Sequence, residues 1–250
     1  MQVLIALLCA AYGAGVGLLL PRAAYRLGVE PGEAWRVECP GGHPLGAAGA
    51  GAGAVAGWIG PARCRDCAES YGPSPLPTTL AATLASGALG AVLGARAELI
   101  VWLLVLPVAA LLCLVDLRVQ RLPDVLTLPL AGGVLALLGV VALLGAGEGS
   151  WLGAVLGAAV LFAFFFVLFL INPRGMGFGD VKLALVCGAV LGWYGWGVLF
   201  VGTFAGFVLG AVVGLAMILM RRAGRKTALP FGPFMVAGAF AGVLVGAGLA

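Results

Sequence analysis

Charge and histidine are scarce in this chain. Asp, Glu, Lys and Arg together supply 10% of its 250 residues and histidine occurs once, against 62% hydrophobic residues and a mean hydropathy of +1.14. A water-soluble globule carries about 25% charged residues, so that class is excluded and the solvent of this chain is a lipid bilayer. The first apolar run, "VLIALLCAAYGAGVGLLL", lacks the basic n-region of a signal peptide, and Pro21 and Arg22 follow it in place of a small-residue cleavage signature. It is expected to be retained as a membrane span. A basic-aromatic pattern of the kind that marks a nucleic-acid surface is also missing, so no nucleic-acid partner is expected.

What is present in abundance is long apolar sequence. Runs able to cross about 30 Å of hydrocarbon, roughly 20 residues each as helix, fall at about 1–20, 78–95, 97–115, 124–146, 151–171, 181–197, 198–220 and 231–250. These predict an all-α polytopic membrane bundle of about eight transmembrane helices. Three parts are expected: a first transmembrane helix over 1–20, a polar insert over 21–77, and the main transmembrane bundle over 78–250. If the spans alternate, thirteen of the fourteen Lys and Arg residues share one side: Arg22, Arg26, Arg36, Arg63, Arg65, Arg118, Arg121, Arg174, Lys182, Arg221, Arg222, Arg225 and Lys226. Only Arg96 falls on the other. The positive-inside rule makes the crowded side cytoplasmic and puts both termini outside, in a multi-pass protein of the cell's inner or plasma membrane.

The insert has no sustained period of 2 or 3.6 apart from the weakly apolar "AAGAGAGAVAGWIG", and it is too poor in large apolar residues to bury much core unaided. Its cysteines supply a staple. "ECPGGH" offers Cys39 and His43, and "ARCRDC" offers Cys64 and Cys67. A C-x3-H followed by a C-x2-C is the ligand chemistry of a tetrahedral Cys3His zinc site, structural in role because four protein ligands leave no position for water. A reducing compartment argues against a disulfide there. The competing reading of His43 is a free loop histidine. Cys9, Cys113 and Cys187 stand singly in apolar spans and read as small buried hydrophobes.

Beyond residue 100, the carboxylates within or beside the spans include Asp116, Asp124, Glu148 and Asp180. Glu148, in "GAGEGS", reads as an outer loop residue. Asp116 ends an apolar run in "LLCLVDLRVQRLPDVLTLPL", and Asp180 opens one after the glycine loop of "RGMGFGD". An ionisable group at membrane depth costs several kcal/mol unless it is paired or faces a polar cavity, so each is a candidate for function. The bland alternative is a helix-end charge: the dipole favours an anion at Asp180, and Asp124 after Pro123 suits a cap or support. At Asp116 the dipole disfavours an anion. Gly175, Gly177 and Gly179 let the backbone approach another chain closely or take φ above zero. Two carboxylates from different helices could share a proton, one activating water while the other polarises a peptide carbonyl and then protonates the leaving amine. Lys182 falls roughly on the helical face opposite Asp180, where it would snorkel to headgroups or meet a substrate acid.

These segments together resemble a known family. "DLRVQRLPDVLTLP" is similar to the D-x6-P-D segment of the type IV prepilin peptidases, and "GMGFGDVKL" to their G-x-G-D-x-K-L segment. "LPFGPFM" at 229–235, "YRL" at 25–27 and "CRDC" at 64–67 are similar to further family signatures in the same order. The resemblance implies a GxGD-type membrane aspartyl endopeptidase with Asp116 and Asp180 as its catalytic dyad. Its implied substrates are type IV prepilin or pseudopilin-like precursors, each with a short basic leader ending in Gly before an apolar helix, cut at the cytoplasmic membrane face. Many members also N-methylate the new N-terminus with S-adenosylmethionine, an activity linked to the zinc-bearing insert. This chain departs from the family pattern in that insert, where Gly42 stands at the expected cysteine position and His43 one residue later, and near the start, where Pro21 replaces a common Asn. Neither departure touches the dyad. Rival classes are a small membrane transporter or channel using the same aspartates, disfavoured by the absence of an evident repeat between the halves, and a scaffold whose glycines merely permit close packing. A presenilin-like protease would set its aspartates deeper in the span.

Overall fold

The computed structural model describes residues 1–30, 32–45, 57–173, 175–220 and 229–249. Arg174, Arg221, Arg222, Arg225 and Lys226, which entered the orientation argument, and most of the Gly/Ala-rich stretch of the insert lie outside the described residues. The described chain forms eight helices: α1 (Gln2–Leu27), α2 (Pro75–Leu93), α3 (Glu98–Val119), α4 (Asp124–Leu143), α5 (Trp151–Ile171), α6 (Phe178–Trp193), α7 (Trp196–Leu219) and α8 (Gly232–Leu249). All but α6 are long and apolar enough to cross a membrane. The all-α expectation holds, with two isolated bridges in the insert, Glu38 to Pro44 and Arg63 to Ser70, as the extended pairing among the described residues.

The chain divides into two compact units: residues 1–95 with 102–121, and residues 96–101 with 122–250. In the first, α1 runs seven residues past the expected boundary, straight through Pro21. A proline inside a helix frees the carbonyl four residues earlier, and in lipid that carbonyl must find another donor. Here Gly17 O is approached by the Thr78 hydroxyl at 3.1 Å, which also lies 2.8 Å from Pro75 O. Pro107 in α3 poses the same problem, and the Tyr12 hydroxyl donates to Leu103 O at 2.8 Å. Hydroxyls from neighbouring helices thus reach the carbonyls that Pro21 and Pro107 leave open. Small residues let α1 and α2 come this close: a Cβ on Gly13 would lie 2.6 Å from Ser86 Oγ, and one on Gly90 would lie 2.8 Å from Cys9 Sγ.

The insert has a small core of its own, in which Tyr25, Leu45, Ala62 and Tyr71 surround Cys39 and Cys64. The Tyr25 and Tyr71 rings meet at 4.7 Å, and the Arg26 guanidinium caps Trp58 at 4.0 Å.

In the second unit α6 is the central element, with α4, α5, α7 and α8 all packed on it. Twelve of its sixteen residues are buried, including every residue from Val186 to Trp193. Such a helix is apolar all round because it meets protein on every side. Its contact with α5 is backbone against backbone: a Cβ on Gly157 would meet Gly188 O at 2.5 Å and Gly192 Cα at 2.8 Å, and one on Gly153 would meet Gly192 O at 2.6 Å. The α7–α8 pair repeats the device, with the position of a Gly238 Cβ 2.6 Å from Gly206 N. This is the small-xxx-small packing by which helices associate in lipid, where apolar burial supplies little drive.

Candidate functional site

Among the described residues three carboxylates are buried: Glu98, Asp116 and Asp180. Asp116 belongs to the first unit. It occupies the last turn of α3 and is 4% exposed, and the helix closes just beyond it where Gln120, at φ +50°, donates its N–H to Asp116 O at 2.9 Å. Asp180 belongs to the second unit, in the first turn of α6, and is 7% exposed. Gly177 is the N-cap of that helix and its carbonyl accepts the Asp180 N–H at 3.0 Å. Both aspartates are therefore withdrawn from bulk water, each at a helix end, as the sequence pattern anticipates.

The glycine loop works by close approach and not by left-handed backbone. None of Gly175, Gly177 and Gly179 has a positive φ. A Cβ on Gly179 would lie 2.9 Å from the Leu122 side chain, and one on Gly175 would run into the Asn172 carboxamide, 2.9 Å from its Cγ. At Gly177 a Cβ would stand 3.7 Å from Asp180 Oδ2.

Lys182 is neither snorkelling free nor waiting for a substrate acid. Its Nζ lies 2.6 Å from Asp124 Oδ1 and 5.0 Å from the Phe178 ring centroid. Asp124 opens α4, so the ion pair ties the first turn of α4 to the first turn of α6.

Glu98 is the residue that the sequence pattern conceals. It is fully buried, and its Oε1 accepts Trp193 Nε1–H at 2.9 Å and the Glu148 backbone N–H at 2.8 Å, while Oε2 meets no donor among the described residues. This carboxylate holds the loop before α5 to the end of α6. An acid in the first turn of an apolar helix reads as an ordinary N-terminal charge, and the one signal that could have found it, a distant tryptophan needing an acceptor, is not local.

In the insert, Cys39 Sγ, a His43 ring nitrogen, Cys64 Sγ and Cys67 Sγ all lie within 4.8 Å of one another. Cys39 Sγ is 3.5 Å from His43 Nδ1 and 3.9 Å from Cys67 Sγ. Tetrahedral ligands at the usual zinc distances stand about 3.8 Å apart, so the donor set fits a metal ion. Two short turns present it: Cys39 N–H donates to His43 O at 2.9 Å and Cys64 N–H to Glu69 O at 2.9 Å. The residue added between Cys39 and His43 is absorbed at Gly42, which takes φ +78°, a conformation that favours glycine. Hydrogen bonding from the Cys67 backbone pulls the Cys64 thiol down to about 7, towards the thiolate that binds metals. His43, open between a loop role and a ligand role in the sequence, is brought to the cluster.

The described chain thus combines seven helices long and apolar enough to cross a membrane, carboxylates buried at helix ends, and a Cys/His cluster on the insert that follows the first helix. Comparison with known proteins points to a family. Residues 102–215, which contain both Asp116 and Asp180, match the model of the Type IV leader peptidase family. The chain is 36% identical over 136 residues to a prepilin leader peptidase/N-methyltransferase of Stutzerimonas stutzeri, covering 53% of this chain and 45% of that one. It is 31% identical over 189 residues to the protein of the same name from Pseudomonas aeruginosa, covering 74% and 62%, and 36% identical over 190 residues to that of Burkholderia pseudomallei, covering 74% and 59%. No solved structure matches. Residues 102–215 thus carry a segment similar to the type IV leader peptidase family. The matches span about half to three fifths of the length of these relatives.

Proposed function

We propose that this protein is a membrane aspartyl endopeptidase that removes the leader of type IV prepilin or pseudopilin-like precursors, with Asp116 and Asp180 as its catalytic pair. The observation that carries this reading is the burial of both carboxylates at helix ends inside the family-matched segment. The dipole of α6 favours the charged form in its first turn and that of α3 disfavours it in its last, so Asp180 serves as base and Asp116 as the proton donor. Asp180 takes a proton from water while the resulting hydroxide attacks the scissile carbonyl carbon. The Asp116 proton passes to the carbonyl oxygen. Collapse of the tetrahedral intermediate breaks the C–N bond, the proton taken up by Asp180 goes to the leaving amine, and Asp116 recovers its own from the gem-diol. The concentration of Lys and Arg in alternate loops supports a cytoplasmic site in a multi-pass inner-membrane protein bathed by lipid.

The protein reconstituted in nanodiscs should cut a pilin-like precursor once, between leader and apolar helix, as read by mass spectrometry of the product. An intact precursor after prolonged incubation overturns the proposal. With S-adenosylmethionine added, the same spectrum reads a second activity, methylation of the new N-terminus, as a gain of one methyl group on the product.

We further propose that Cys39, His43, Cys64 and Cys67 hold a structural zinc ion. The spacing of the four ligand atoms supports it; with every ligand supplied by the chain, the ion would cross-link the insert and carry no water for hydrolysis. Elemental analysis of protein purified without chelator should find about one zinc per chain, and Cys64→Ser should lose it. Metal-free wild type with an intact insert would count against the site.

A further inference from the structure

The family resemblance gives Asp124 and Lys182 no role in chemistry, yet they are the two partners of an ion pair 2.6 Å long beside the first turn of α6. Lys182 is 20% exposed at its side chain and Asp124 59%. An ion pair this open adds at most a little to stability, so its reason is to be sought in geometry. Asp180 and Lys182 are two residues apart on a helix, about 200° around its axis, so Lys182 faces away from the carboxylate and can act on it only through the backbone they share.

Two contacts fasten that backbone. At residue 179 the Leu122 side chain fills the space that a Cβ would need, and at residue 182 the ammonium is drawn to Asp124. Both partners come from one short segment, residues 122–124, and they bracket Asp180 on either side in sequence. The segment is itself stiff. Leu122 is buried, Pro123 has a fixed φ, and Pro123 O accepts Leu126 N–H at 3.0 Å, Thr127 N–H at 3.0 Å and the Thr127 hydroxyl at 3.0 Å. Thr127 is fully buried. A rigid brace that touches a helix at two points three residues apart, about five-sixths of a turn, fixes both its rotation and its height.

We infer that Asp124 and Lys182 are positioning residues, a charge clamp that works with Leu122 against Gly179 to set the rotation and depth of the α6 turn that presents Asp180. The inference rests on the reading of Asp180 as a member of the catalytic pair. It gives the Pro-Asp element and the lysine after the Gly-x-Gly-Asp run a common purpose, although 58 residues separate them in the chain.

The test measures precursor cleavage in nanodiscs by wild type, Asp124→Asn, Lys182→Met, the exchanged pair Asp124→Lys with Lys182→Asp, the conservative Lys182→Arg, and Asp180→Asn as the reference. Each single removal is expected to lower kcat by about 10- to 100-fold, the scale of a displacement near 1 Å, with KM and thermal stability close to wild type. Lys182→Arg, which keeps the pair, should retain near wild-type kcat, and the exchange should recover most of what either charge change costs. Loss confined to KM in the single variants would make the pair a substrate contact and overturn the clamp. So would wild-type kcat in Asp124→Asn, or an exchanged pair that folds yet performs no better than the single removals. Should the exchange not fold, Lys182→Arg decides: loss as deep as Lys182→Met overturns the clamp. Failure of the catalytic reading looks different, since Asp180→Asn would then cleave at the wild-type rate.

Discussion

Asparagine at position 180 is expected to slow precursor cleavage by about 10²- to 10⁴-fold, the range that a positioned general base contributes. The carboxamide has nearly the volume of the carboxylate and fits the same 7%-exposed place in the first turn of α6, so the loss should fall on kcat while the folded protein elutes and melts as wild type does. Asp116→Asn removes the proposed proton donor at the other helix end and should cost a similar factor. Because two groups acting on one bond are not additive, the double variant should be barely worse than either single one. Full cleavage by either folded single variant removes that aspartate from the mechanism. A double variant whose loss equals the product of the single losses would mean that the two carboxylates act independently, not as a pair.

The second large effect concerns the fold. Leucine at Gly157 is expected to pull α5 off α6, because its Cβ would stand 2.5 Å from Gly188 O and 2.8 Å from Gly192 Cα, backbone atoms that no rotamer change can move aside. Overpacking in a tight core costs about 1–3 kcal/mol when side chains can yield, and here they are not what blocks the way, so the upper end applies. The apparent melting midpoint in detergent should fall by roughly 6–12 °C, with cleavage falling along with it. Gly132→Leu is the control: a Cβ there meets nothing within 4 Å. Equal melting of the two variants would show that the α5–α6 glycines are not packing determinants.

Hydropathy made the helices legible, and α5 was readable to the residue, over 151–171, since loop sequence brackets it on both sides. The short α6 was harder. The apolar run continues from Trp193 into Trp196, and what ends the helix is Gly195 at φ +106°, a backbone feature that one glycine among 42 does not announce. The far end of α1 was missed because Pro21 looks like a stop until Thr78 is seen beside Gly17 O. At the candidate site, Asp116 and Asp180 stood out as charges in apolar surroundings, and the Cys/His spacing singled out the four residues whose ligand atoms the fold brings within 4.8 Å of one another. The Asp124–Lys182 pair and the Glu98–Trp193 hydrogen bond were not readable, since each joins residues dozens of positions apart through packing that only the folded chain creates.

The glycine contacts between α5 and α6 also set a height. Gly153 meets Gly192 and Gly157 meets Gly188 across an antiparallel pair, so, carried along the same register, Asp180 stands level with Phe165. Helix α5 continues to Ile171, six residues and about 9 Å beyond that level. Asp180 is therefore at the foot of a step, not on a rim. On the proposed reading, a peptide bond brought to Asp180 would descend below the end of α5, and an unwound strand, at about 3.3 Å per residue, would make that descent in three residues where a helix would need six. If Asp180 acts on a peptide bond as proposed, step height would sort substrates by how readily the chain unwinds just ahead of its apolar helix, a selection made by architecture before any side chain is read.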